Sequence, residues 1–121
     1  MGKKVLIADD SRFMRMLLKN ILIPAGYEIV GEAEDGVEAI EHYRKLRPDL
    51  VTMDIIMPNL GGLEALKGII SEDPGAKVVM CTALGQEDKV REAVIHGARG
   101  YIVKPFKAER VRQELEKVLS K

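Results

Sequence analysis

Five short apolar runs alternate with five stretches of helical periodicity, and this alternation limits the possible folds more than any other feature. The runs lie at residues 5–8, 27–33, 50–53, 78–81 and 101–103. Strict strand–helix alternation implies a parallel sheet with right-handed crossovers and helices on both faces. Strands buried on both faces read as nearly continuous apolar runs, as four of these do. The central run, Leu50-Val51-Thr52-Met53, is closed by Asp54, and Pro58 forbids its continuation.

The helical stretches carry their own punctuation. Ser11 is placed to cap a first helix whose apolar face runs through Phe13, Leu17 and Ile21, with Met14, Leu18 and Leu22 beside it. Pro24 and Gly26 end it. In the second run Glu28 and Glu32 are expected on one face and Tyr27, Ile29, Gly31 and Ala33 on the other, which suits an edge strand. Asp35 and Glu38 form a reciprocal capping pair for a second helix, buried through Val37, Ile40, Tyr43 and Leu46 and stopped by Pro48. Leu63, Leu66 and Ile70 mark a third helix, weakened at Gly68. Val90, Ala93 and Val94 mark a fourth, capped by Gly97. Val111, Leu115, Val118 and Leu119 mark a fifth.

Length and charge narrow the function classes. The 121 residues make one domain, spanning 1–121. A formal net charge of zero argues against nucleic acid as the main partner. Cys81, the single cysteine, reads as a small buried hydrophobe in a reducing compartment. The apolar run near the N-terminus is too short for a signal peptide or a membrane span, so a cytoplasmic location is expected. There is no Walker or dinucleotide motif, and Gly61-Gly62 does not make one. His42 and His96 fall on expected helix surfaces.

The strand ends carry the chemistry. In a parallel sheet all C-terminal ends lie on one edge. Asp9 and Asp10 follow the first strand, Asp54 the third, Thr82 the fourth and Lys104 the fifth. Taken singly, each has a plainer explanation: the acids and Thr82 as helix caps, Lys104 as a solvated charge. Their convergence does not. At about 4 Å and an effective dielectric near 20, each like-charged pair costs ~4 kcal/mol. Three carboxylates therefore need a cation, and an all-oxygen set without His or Cys suits Mg2+. Three acids, one lysine and one divalent ion sum to zero charge. Such a pocket suits phosphoryl transfer, with Asp54 as nucleophile, Thr82 donating to a phosphoryl oxygen and Lys104 offsetting charge.

The chain resembles the response-regulator receiver domains. The resemblance is carried by Val5-Leu6-Ile7-Ala8-Asp9-Asp10, residues 49–58, Cys81-Thr82-Ala83 and Val103-Lys104-Pro105-Phe106. It implies a flavodoxin-like three-layer α/β sandwich whose five-stranded parallel sheet has the order 2-1-3-4-5. It implies Asp54 as phosphoacceptor, Asp10 as direct metal ligand, Asp9 acting through water, and the Ile56 backbone carbonyl as a further ligand to Mg2+. Thr82 and Lys104 match the phosphate-contacting pair. Tyr101 matches an aromatic switch that turns inward when Thr82 moves. A cis Lys104–Pro105 bond is implied as well.

Within the family the chain is most similar to stand-alone chemotaxis regulators, through Ser11-Arg12-Phe13-Met14-Arg15-Met16, Thr52-Met53-Asp54 and Ala83-Leu84-Gly85-Gln86. That likeness implies a CheA-type histidine kinase as phosphodonor, the flagellar motor switch protein as target, a phosphatase to end the signal, and a monomer with no attached output domain. It does not imply an enzyme acting on free substrates. Three positions depart from the family pattern. Gly61 stands where Asp or Asn is usual, and the apolar Ile56 and Leu84 stand where side chains influence the hydrolytic water, which implies slow phosphate loss. Two other readings use the same pocket: a relay intermediate passing phosphate to another histidine protein, and a small Mg2+-dependent phosphatase. The latter wants a general acid two residues after the nucleophile, where this chain has Ile56.

Overall fold

Each expected strand and helix is present in the computed structural model, which describes residues 2–120. In chain order the elements are β1 (Lys4–Ala8), α1 (Arg12–Leu22), β2 (Glu28–Ala33), α2 (Gly36–Leu46), β3 (Leu50–Asp54), α3 (Gly62–Glu72), β4 (Val78–Thr82), α4 (Glu87–Ile95), β5 (Gly100–Val103) and α5 (Ala108–Leu119). All strand pairs are parallel, in the order β2-β1-β3-β4-β5. This is the flavodoxin-like arrangement.

Alternation along each strand divides the core in two. Leu6, Val51, Met53 and Met80 point to one face, where they meet Ala39 and Tyr43 of α2, Leu66 and Ile69 of α3 and Ala93 of α4. Val5, Ile7, Leu50, Val79 and Ile102 point to the other, against Leu18 and Leu22 of α1 and Val111, Leu115 and Val118 of α5. Every residue of β3 and β4 is buried. Two-sided burial is what makes these runs apolar without interruption.

Several local expectations are corrected. Phe13 is 65% exposed, and the face of α1 turned to the sheet runs through Arg15, Leu18 and Leu22. In β2 the odd residues do not share a face. The register slips between Val5 and Leu6, whose partners are Ile29 and Gly31, so Val30 is the extra residue of a bulge. Tyr27 and Ile29 consequently join the α1/α5 side, while Ala33 joins the α2/α3 side. In α2 the buried stripe is Gly36, Ala39 and Tyr43, with Val37 and Leu46 exposed. In α4, Val94 is exposed.

Gly68 lies inside α3, at its contact with α2. A Cβ there would lie 2.8 Å from Ile40 Cδ1, the tip of a flexible side chain, so glycine gives Ile40 room between α2 and α3. The helix caps form largely as expected. Ser11 Oγ accepts the Met14 amide, and Asp35 accepts the Glu38 amide. Glu38, however, reaches back to the Glu34 amide, one residue beyond the cap. Leu119 of α5 is half-buried.

Candidate functional site

The C-terminal edge of the sheet gathers Asp9, Asp10, Asp54, Thr82 and Lys104. Asp9 and Asp54 are buried, whereas Asp10 is exposed. One oxygen from each of the three carboxylates lies within 4.8 Å of the others. Lys104 Nζ sits between two of them, 3.1 Å from Asp9 Oδ2 and 3.1 Å from Asp54 Oδ1. The Lys104 amide donates to the Thr82 carbonyl at 2.7 Å, which continues the β4–β5 ladder past its last pair. The Lys104–Pro105 bond is cis, as the resemblance implied.

Asp9 is held through its amide, its carboxylate and its carbonyl. Its amide donates to the Ala33 carbonyl at 2.9 Å. Its Oδ1 accepts the Ser11 amide at 2.9 Å, and its own carbonyl accepts from Arg15 Nη1 at 2.7 Å. Asp54 ends β3, and the turn after it is tight. The Gly62 amide donates to the Ile55 carbonyl at 2.8 Å. A Cβ at Gly62 would fall 1.9 Å from the Asp54 carbonyl oxygen, so only glycine lets the start of α3 lie against the strand end. Gly61 has φ −74°, within the range of any residue. Ile56, two residues past Asp54, has its side chain 55% exposed.

Burial raises the Asp54 pKa to about 6, and the charge of Asp9 adds to the rise, while Lys104 only partly offsets it. For Lys104, burial would lower the pKa, but Asp54 and Asp9 outweigh it and hold the ammonium above its ordinary value. Cys81 lies beside Asp54 in the β3–β4 register. Burial, then the nearby Asp54 charge, push its thiol up and keep it protonated at neutral pH. With three acids and one ammonium, the described site carries excess negative charge. Its clustered oxygen donors fit a hard divalent cation.

Thr82 is buried, and its hydroxyl faces its own loop: Oγ1 lies 3.0 Å from Gln86 Oε1 and 3.1 Å from the Ala83 carbonyl. Tyr101 is 48% exposed, and its amide donates to Glu114 Oε2 at 3.1 Å. Its ring stands between two clefts. One, of about 340 Å³, is lined by Thr82, Leu84, Val90 and Val103 among others. The other, of about 500 Å³, is lined by Leu84, Val103, Lys107, Arg110 and Lys117 among others.

Two residues of this site escaped the sequence reading. Arg15 stands at i, i+3 and i+7 with Leu18 and Leu22, so a cation on the apolar stripe was the available signal. Gln86 gave none beyond lying four residues after Thr82. Among the described residues no helix is long and apolar enough to cross a membrane.

The model of the response regulator receiver domain family matches residues 5–116, and the chain belongs to that family. It is the receiver domain of a two-component response regulator. Over nearly its full length it is similar to the chemotaxis protein CheY. The Thermotoga maritima protein is 54% identical over 118 residues, covering 98% of each chain. The Bacillus subtilis protein is 48% identical over 120 residues, covering 99% of this chain and 100% of the relative. Among solved structures, the CheX–CheY–BeF3–Mg complex from Borrelia burgdorferi contains a similar chain. Its TM-score is 0.94 at 39% identity, with 98% of this chain and 90% of that chain covered.

Proposed function

We propose that this chain is a phosphorylation switch of chemotaxis in which Asp54 accepts a phosphoryl group from a histidine kinase of the CheA type. One observation carries the reading. A buried carboxylate at a strand end shares Lys104 Nζ, 3.1 Å from each, with a second buried carboxylate, and a third completes the cluster. An Asp54 oxygen would attack the phosphorus of the donor phosphohistidine. The O–P bond forms as the P–N bond breaks, and the imidazole leaves with its electron pair and takes a proton from solvent.

Mg2+ would be held by the Asp10 and Asp54 carboxylates and the Ile56 carbonyl, with Asp9 acting through water. When bound it supplies charge neutralisation on the transferring oxygens. Lys104 would follow the incoming group, exchanging its contact with Asp54 for one with a phosphoryl oxygen. Thr82 would give up Gln86 and donate to another such oxygen, drawing the 83–86 loop inward. Tyr101 would then turn into the cleft beside Thr82. Thr82 facing its loop and Tyr101 half exposed are the arrangement expected before phosphorylation.

The output surface is the face of α4, β5 and α5. Leu84, Tyr101 and Val103 are exposed there, bordered by Lys107, Arg110 and Lys117. An apolar strip with a basic rim suits a short acidic amphipathic peptide of the flagellar motor switch. The domain, spanning 1–121, would work as a cytoplasmic monomer. It would catalyse only its own phosphorylation and dephosphorylation, aided by a separate phosphatase.

Mass spectrometry after treatment with acetyl phosphate and Mg2+ tests this. The wild type should gain one phosphoryl group, stable in acid and labile in base, and Asp54→Asn should gain none. A wild type that gains none, or an adduct placed elsewhere, refutes it.

A further inference from the structure

Arg15 is a charged residue turned into the core side of α1, only 8% exposed. Burying a guanidinium is costly unless it is paired and hydrogen-bonded. Here Nε and Nη1 each find an acceptor, one of them a carboxylate. Nε donates to Glu32 Oε1 at 2.8 Å, and Nη1 donates to the Asp9 carbonyl at 2.7 Å. Glu32, on the edge strand β2, also takes Lys19 Nζ at 2.8 Å. Hydrogen bonds from Lys19 and then Arg15 hold Glu32 below the usual carboxylate range, so it remains charged.

The Asp9 carbonyl belongs to the peptide plane that joins Asp9 to Asp10. The rest of Asp9 is held elsewhere: its amide by Ala33, its carboxylate by Ser11 and Lys104. Asp10 is different. Among the described residues its carboxylate has no hydrogen bond or ion pair, although it is one of the three gathered acids. Only its backbone aims it. Rotating the Asp9–Asp10 plane would swing that carboxylate out of the cluster.

We propose that Arg15, itself held by Glu32 on β2, is a positioning residue for the divalent-cation site: it fixes the Asp9–Asp10 peptide plane and so aims Asp10. Arg15 touches neither ion nor phosphoryl group. The inference rests on the reading of this cluster as a Mg2+ site.

Calorimetric titration of the full chain with Mg2+ tests it, with no phosphorylation needed. Partners that orient metal ligands from behind cost about ten- to a hundredfold in affinity when removed, and Arg15→Ala should weaken Mg2+ within that range. Arg15→Lys, which keeps one donor in reach of the carbonyl, should recover most of the loss. Leu18→Ala separates positioning from general support. It leaves a cavity under the same helix without touching the carbonyl, and its Mg2+ affinity should stay at the wild-type value. Should Arg15→Ala not fold, Glu32→Ala at the half-exposed end of the pair decides instead, with an expected weakening below the roughly tenfold lower end of that range, since Glu32 acts only through Arg15. Wild-type affinity in Arg15→Ala or Glu32→Ala, or an equal loss in Leu18→Ala, overturns this inference alone. A wild type that takes up no Mg2+ overturns the metal reading and this inference with it.

Discussion

Thr82 and Gln86 are latched together: Thr82 Oγ1 lies 3.0 Å from Gln86 Oε1, and the same Gln86 oxygen accepts the Ala83 amide at 2.8 Å. A hydroxyl has one proton to give. While Thr82 gives it to its own loop, none is left for a group on Asp54. On the proposed function, Gln86 would therefore weigh on the switch although it stands outside the acidic cluster. A neutral hydrogen bond is worth about 1 kcal/mol net, roughly fivefold in an equilibrium. Gln86→Ala should raise the unphosphorylated population with Tyr101 turned inward by about that factor. Fluorine NMR of fluorotyrosine-labelled protein reads this directly, and an unchanged Tyr101 signal would rule the latch out.

The pH dependence of metal-free stability follows from Asp54. Its folded pKa is raised from 3.8 to about 6, so the folded state binds the proton more tightly than the unfolded chain. The associated stability is fully present below about pH 4 and is lost as pH rises through about 6. At pH 7 without divalent ions the ionised carboxylate is a burden, and Asp54→Asn should be the more stable protein. With allowance for solvent screening the gain is on the order of 1–2 kcal/mol. Urea titrations in a chelator at pH 4 and pH 7 measure it. The advantage should vanish at the lower pH.

Thr52 offers a second stability test, away from the pocket. It is wholly buried in β3, between Ile7 and Val79 in the register, and its hydroxyl has no hydrogen-bond partner among the described residues. Valine has nearly the same shape without the polar group. Removing an unsatisfied buried hydroxyl should stabilise the fold by about 1 kcal/mol, seen as a higher urea midpoint at unchanged slope for Thr52→Val.

Phosphate lifetime should depend on Ile56. Its exposed side chain lies two residues past Asp54 and cannot orient water by hydrogen bonding. Ile56→Asn would supply a donor and an acceptor there. Loss of the phosphoryl group, followed by 31P NMR, should quicken by about tenfold. An unchanged decay would show that water reaches the phosphorus by a route this side chain does not govern.

The frame of the molecule was legible because parallel strands buried on both faces have little compositional freedom. Residues 50–53 and 78–81 could hardly be anything else. Asp9, Asp54, Thr82 and Lys104 were legible for a related reason, since each ends an apolar run and all such ends share an edge. What failed depended on distances perpendicular to the chain. Gly36 and Ala39 are buried where Val37 was expected: Gly36 lies against the Leu60 carbonyl, where a Cβ would clash at 2.5 Å, and Ala39 packs into the core on the α2/α3 side. The slip that moves Ile29 and Ala33 to opposite faces depends on one extra residue, Val30, whose own character does not mark it. Arg15 was overlooked because polarity normally signals solvent, and only a buried acceptor such as the Asp9 carbonyl reverses that rule.

Gly62 gives the site a direction in which it cannot yield. With the first turn of α3 seated on the Asp54 carbonyl, the backbone behind the nucleophile has no room to retreat. On the proposed function, added bulk on Asp54 would be absorbed on the opposite side, by the exposed residues 83–85 and the half-exposed Tyr101. One close-packed wall and one open wall would turn a symmetric chemical event into a one-way mechanical push. The message would then leave by the α4–β5 flank, with α3 as the backstop.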